Sequence, residues 1–178
     1  MQRVCLGELQ QGANNRNFSL SVYRYLKIIA GKTAALFEAS FYGGAMVSDD
    51  SKNDAAHYAK IGHYLGMIFQ LMDDCIDYES TAQSAKKPVR SDYEQGVVTL
   101  PLIFSLQSSS ELRQLAQSGV HKEEITAGVT REKGVFRTRE VSSKYYEKAL
   151  STLRRLNAPE GKKQRLEAIL NKACGIAG

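Results

Sequence analysis

Ile61, Leu65, Ile68, Met72 and Ile76 recur at steps of four, three, four and four along the chain. An α-helix gathers such a series on one side, so the stretch is predicted to be a long helix with an apolar face turned to a core. Asp49, Asp50, Ser51, Asn53 and Asp54 offer side-chain oxygens and negative charge where a first turn leaves amide N–H groups unpaired. The helix is therefore expected to start near Ser51 or Asn53, and to run to about Tyr78. His63, Gly66, Gln70, Asp73 or Asp74, and Asp77 follow the same steps on an adjoining face, which is polar.

The rest of the chain reads the same way, with no period-two strand pattern, and the fold class is all-α. A short helix is expected from Arg3 to Gln11, ending at Gly12, followed by an Asn-rich loop through Asn14, Asn15 and Asn17. Ser19 is a candidate cap for the next segment. From Ser21 to about Met46, Val22, Leu26, Ile29, Leu36 and Ala39 fall at helical spacing, with Gly31 and the pair Gly43 and Gly44 as points of bending or close packing. A polar connection containing Ser80, Gln83, Lys86, Lys87 and Pro88 reads as a loop. Thr99 followed by Pro101 reads as a cap and first turn, where a missing amide costs little. Further helices are expected from Ser109 or Ser110, from near His121, from Thr138 to Leu156 and from Pro159 to Cys174. No linker divides residues 1–178, which are read as a single domain.

Composition excludes several classes. The formal charge of +5 is spread among acids rather than gathered into a stripe, so nucleic acid is not an expected partner. Val97 to Leu106, the longest apolar stretch, is interrupted by Thr99, Pro101 and Ser105 and is too short to span a membrane. Cys5, Cys75 and Cys174 lack the paired spacing of a zinc site or disulfide framework, and residues 1–11 lack the apolar core of a secretion signal. A soluble protein in a reducing cytoplasm is the expectation.

The chemistry is concentrated in Phe69-Gln70-Leu71-Met72-Asp73-Asp74-Cys75-Ile76-Asp77. Asp73 and Asp77 stand one turn apart and can share a cation. Hard oxygens without His or Cys point to Mg2+, which uses one or two carboxylates and takes its other ligands from water and phosphate. The acids also lie near a helix C-terminus, where the macrodipole disfavours them by roughly 0.3–1 kcal/mol each, so a compensating cation is expected. Lys32 upstream and Lys87 downstream are the candidates.

These residues resemble the all-trans polyprenyl diphosphate synthases, specifically their C-terminal half, from about Cys5 to Tyr146. Gly7-Glu8-Leu9-Gln10-Gln11 resembles the family's GE-x-x-Q helix, and Gly31-Lys32-Thr33-Ala34 its Lys-Thr helix break. Gln70 with Asp73, Asp74 and Asp77 resembles the second aspartate-rich motif. Lys87-Pro88 with Asp92, Gly96, Thr99, Leu100 and Pro101 resembles the segment after it.

The resemblance implies an isoprenoid-synthase-type helical bundle, of which this chain is the C-terminal part. It implies that Asp73, Asp74 and Asp77 bind magnesium bridging to an allylic diphosphate, that Lys32 and Lys87 neutralise that diphosphate, and that Thr33 and Gln70 lie beside the nascent carbocation. The implied reaction is condensation of the allylic diphosphate with isopentenyl diphosphate.

Two departures stand out. The family's first aspartate-rich motif has no counterpart here, since Asp49-Asp50 lies on the wrong side of Lys32. Val97 stands where the family usually has a lysine, with Arg90 as a nearby substitute. The chain is thus expected to hold part of an active site and to be inactive alone, as a homodimer or as a heteromer with a chain supplying the first motif. The alternative is a noncatalytic helical scaffold or regulatory subunit of a prenyl synthase assembly.

Overall fold

The computed structural model describes residues 2–48, 52–79, 92–119 and 121–176, which form nine α-helices and one π-helical turn, with no strand among them. The helices are α1 (Gln2–Gly12), α2 (Val22–Ile29), α3 (Ala35–Val47), α4 (Lys52–Glu79), α5 (Leu100–Ser108), α6 (Ser110–Ser118), α7 (Lys122–Arg131), α8 (Gly134–Arg155) and α9 (Glu160–Cys174), and the π turn is Ala30–Ala34. No described helix is long and apolar enough to cross a membrane. The apolar run after Val97 is instead α5, in which every residue from Leu100 to Leu106 is buried.

The long helix expected from the apolar stripe is α4, whose 28 residues span about 42 Å and which packs on α3, α8, α9 and α5. Two apolar clusters lie along it. Tyr58, Ile61, Leu65 and Ile68 meet Ala149, Leu153, Leu156 and Leu170 of the α8–α9 region. Met67, Leu71 and Tyr78 meet α2 and the buried α5. Ile76, expected on the core face, is 55% exposed. A series stepping by four, three, four and four lags the helix by roughly 60° from Ile61 to Ile76, so Cys75 and Tyr78 take the buried positions. The capping role assigned to Asp49, Asp50 and Ser51 lies outside the described residues.

The segment from Ser21 to Met46 is not one regular helix. It is α2, the π turn and α3, and the change falls at Gly31 as the sequence suggests. A π turn takes up one extra residue, which rotates everything after it relative to the stripe of Val22, Leu26 and Ile29. Leu36 and Ala39 consequently turn outward, while Ala34, Ala35 and Ala45 are buried and Phe37 and Phe41 pack inward. At Gly43 and Gly44 a Cβ would meet nothing, so the close packing expected there is absent, and α3 runs through both. The cap of α2 is Ser21, which accepts from Arg24 N–H at 3.2 Å, and not Ser19, whose own amide donates to Asn17.

Thr99 holds the predicted N-cap position of α5 with Pro101 in the first turn, but its hydroxyl faces Tyr78 rather than the helix amides. α8 begins at Gly134, a turn earlier than Thr138. A Cβ on this glycine would lie 2.2 Å from Pro101 O, so it lets α8 cross α5 closely.

Candidate active site

Placement of Lys32 begins with two glycines. A Cβ on Gly7 of α1 would lie 2.4 Å from Lys32 N, and one on Gly66 of α4 would lie 2.6 Å from Ala34 Cα. The π turn is thus wedged between two helices whose backbones approach it directly. Glu8, next to Gly7, and Gln11, one turn on, reach the Lys32 ammonium, which donates to Gln11 Oε1 at 2.8 Å and lies 3.3 Å from Glu8 Oε1.

Opposite stands α4. Thr33 Oγ1 donates to Gln70 Oε1 at 2.7 Å, and Gln70 Nε2 donates to Asp74 Oδ1 at 3.0 Å. Tyr25 of α2 donates its phenol to the other Asp74 oxygen. This relay fixes the Gln70 amide, with Thr33 behind it rather than on the cavity wall. Asp74 is 1% exposed and each of its oxygens accepts a hydrogen bond, so in this arrangement it braces Gln70 and Tyr25.

Asp73 is exposed and lines a cavity of about 210 Å3 with Lys32, Gln70 and Asp92, and the buried pair Asp74 and Tyr25 lines the same cavity. Asp77 does not line it. Its Oδ2 accepts from Asp92 N–H at 3.2 Å, and its Oδ1 lies 3.7 Å from Lys122 Nζ. Asp77 therefore secures the turn that carries Asp92. That turn is closed by Gly96, at φ +81°, and Arg16 N–H of the Asn-rich loop donates to Gly96 O at 2.7 Å. Lys87 and Arg90 lie outside the described residues. Among the described residues no three His, Cys, Asp or Glu side chains form a closed metal cage, and magnesium, which keeps water and phosphate as ligands, does not call for one.

Asp92, Tyr25, Glu8, Gln11 and Lys122 join the site beyond the residues singled out from the sequence. Asp92, Glu8 and Gln11 belong to segments that carry the family resemblance, so a signal existed for them. Nothing in the sequence pattern marks Tyr25 or Lys122, which arrive from α2 and α7 by tertiary packing.

Burial pushes the Asp74 carboxyl up to about 7, against the hydrogen bonds from Tyr25 and Gln70. Burial, with Asp77 and Asp73 adding repulsion, pushes Asp92 up to about 6, while Lys32 and Lys122 pull it back. Between about pH 4 and 7 the folded chain therefore holds protons that the unfolded chain has released, so these two groups stabilise most at low pH and that contribution is lost as pH rises through 6 and 7. Asp92→Asn is expected to flatten the fall in Tm between pH 5 and 8, measured with chelator present. The effect is about 1 kcal/mol, or a few degrees, allowing for the partial exposure of Asp92. An unchanged slope would show that Asp92 is not held in this strained state.

The sequence profile of the polyprenyl synthetase family matches residues 1–132. Heptaprenyl diphosphate synthase component 2 of Bacillus subtilis is 33% identical over 178 residues, covering 97% of this chain and 50% of that protein. The crystal structure of heptaprenyl diphosphate synthase from Staphylococcus aureus superposes with a TM-score of 0.88 at 30% identity, covering 97% of this chain and 56% of that one. A polyprenyl synthase from Caulobacter crescentus, complexed with calcium and isoprenyl diphosphate, gives a TM-score of 0.86 at 25% identity over 97% of this chain and 55% of that one. The chain spans about half the length of the curated relatives it matches. With the lysine-bearing π turn and the acidic end of α4 facing one cavity, and with these matches in sequence and fold, the chain belongs to the polyprenyl synthetase family.

Proposed function

We propose that this chain forms the metal- and diphosphate-binding side of a prenyl-transfer site, one that condenses an allylic diphosphate with isopentenyl diphosphate in the presence of magnesium. The observation that carries the reading is that Lys32, Asp73, Asp74 and Asp92 line one small cavity. A cation and carboxylates lining the same space suit a ligand that is itself an anion carrying a divalent ion. The donor set fits magnesium, because the lining residues offer carboxylate and amide oxygens and neither thiolate nor imidazole. Asp73 and Asp92 would hold the ion, with Asp77 fixing Asp92 and Asp74 fixing Gln70. A bound magnesium ion supplies positive charge against the diphosphate oxygens.

The remaining work falls to the chain's own side chains. Lys32, aimed by Glu8 and Gln11, neutralises the diphosphate as it leaves the allylic carbon. The Gln70 amide, locked between Thr33 and Asp74, is the neutral polar group at the wall where positive charge develops on that carbon. Leu20, Ile28 and Ile29 line the same cavity and exclude water. The ligand class agrees with the calcium and isoprenyl diphosphate held by the Caulobacter protein.

Further residues are needed for turnover, from a longer polypeptide or from a partner. Leu6 and Leu9 of α1, Leu36 of α3 and Phe69 of α4 are all at least half exposed, Leu9 reaching 72%, and such apolar area invites cover by further helices. A two-component assembly is in keeping with the name of the Bacillus relative. The same name keeps a second reading open, a noncatalytic subunit of a prenyl synthase assembly. The three thiols are free, as suits the reducing cytoplasm proposed for it.

Calorimetric titration with an allylic diphosphate decides between the two readings. Binding that requires magnesium is expected, together with no elongation by the chain alone when isopentenyl diphosphate is added. Absence of magnesium-linked binding sinks the catalytic reading and leaves the noncatalytic subunit.

A further inference from the structure

Lys122 of α7 meets Asp77 at the acidic end of α4, whose last residue, Glu79, is paired separately with Arg139 of α8. Lys122 Nζ lies 3.7 Å from Asp77 Oδ1, with side-chain exposures of 29% and 21%. The other oxygen of Asp77 accepts from Asp92 N–H, so a single carboxylate joins α4, the turn at Asp92 and the start of α7. Each partner sits where its own helix disfavours it. Asp77 is in the last turn of α4, beside unpaired carbonyls, and Lys122 is in the first turn of α7, beside unpaired amides. Bringing the two ends together cancels both penalties. The ammonium also acts on Asp92, whose carboxyl it and Lys32 pull down against burial and the neighbouring acids.

At 3.7 Å this is an ion pair without hydrogen-bond contact, hence loosely held. We propose that Lys122 is the resident counter-cation of the acidic cluster, so that its charge opposes a divalent ion entering alone and the ion binds tightly only when an anionic diphosphate enters with it. A divalent cation held by Asp73 and Asp92 and an ammonium held by neighbouring Asp77 repel each other, and a diphosphate relieves that repulsion. This rests on the reading of the site given above and names the residue that couples metal to diphosphate.

The test is calorimetry with magnesium alone and with magnesium plus inorganic pyrophosphate at pH 8, on the full chain, Lys122→Ala and Lys122→Arg. Lys122→Ala is expected to bind magnesium alone about two- to fivefold more tightly, the range a solvent-screened ion pair spans, while pyrophosphate enhances its magnesium affinity by a smaller factor than in the native chain. Lys122→Arg should behave as native. A purely structural ion pair predicts the opposite sign, because a loosened cluster binds magnesium more weakly, and weaker or unchanged binding by Lys122→Ala overturns the proposal. If the native chain binds no magnesium even with pyrophosphate, the prenyl-transfer reading itself fails, whereas native binding with an unaltered variant removes only the role of Lys122.

Discussion

The double variant Asp73→Ala, Asp92→Ala is expected to lose magnesium-linked pyrophosphate binding by about a hundredfold, the weight of two charge-assisted ligands, while melting within a few degrees of the native chain. Asp73 is exposed, so its loss opens no cavity, and Asp92 is held ionised against burial, so its removal relieves repulsion from Asp73 and Asp77. The neighbouring Asp74→Ala should behave differently. It strands the Tyr25 phenol and the Gln70 amide in a buried place, which costs about 1–3 kcal/mol for each unsatisfied group, so its melting point falls first. Thermal melts and calorimetry on the two variants separate ligand from brace. Native-like pyrophosphate affinity in the double variant would mean that the ion sits elsewhere.

A single methyl group at Gly7 is expected to do comparable damage from outside the acidic cluster. The added Cβ would fall 2.4 Å from Lys32 N and 2.8 Å from Lys32 Cα, both backbone atoms that no rotamer change can move aside. Either α1 lifts from the π turn or the π turn distorts, at a cost of about 3 kcal/mol, and Lys32 moves away from Glu8 and Gln11. Gly7→Ala should therefore lower Tm by about 10 °C or more and weaken magnesium-linked pyrophosphate binding together. Gly12→Ala at the end of the same helix is the control, because a Cβ there meets nothing. It should be neutral or slightly stabilising. Equal melting points for the two variants would refute the close approach of α1 to the π turn.

Much of the framework was legible because it depends on local rules. The stripe from Ile61 to Met72 announced α4, Gly31 marked the break between α2 and α3, and Thr99 with Pro101 marked the start of α5. The acid cluster was legible because three carboxylates in five positions are hard to place without a cation. What misled were features that need the helix phase or a neighbour to interpret. Ile76 drifts off the buried face, Leu36 is rotated outward by the π turn, and the helix expected from Thr138 starts at Gly134, where α5 packs against it. Asp73, Asp74 and Asp77 look equivalent in the sequence, yet Asp73 lines the cavity exposed, Asp74 lines it buried and hydrogen-bonded to Tyr25 and Gln70, and Asp77 grips the Asp92 amide outside it.

By itself, then, the order of residues determined that the chain is helical and that it carries motifs of the polyprenyl synthetase family, and it singled out Lys32, Gln70 and the aspartates as candidate working groups. Helix period, capping and charge type act over a few residues and can be read there. Only the tertiary structure decided which carboxylates hold Tyr25, Gln70 and the Asp92 amide, that Tyr25 and Lys122 reach the acidic cluster, and that two glycines set the place of Lys32. Those outcomes depend on the distances at which separate helices pack, to within the width of a methyl group, and no local pattern encodes that.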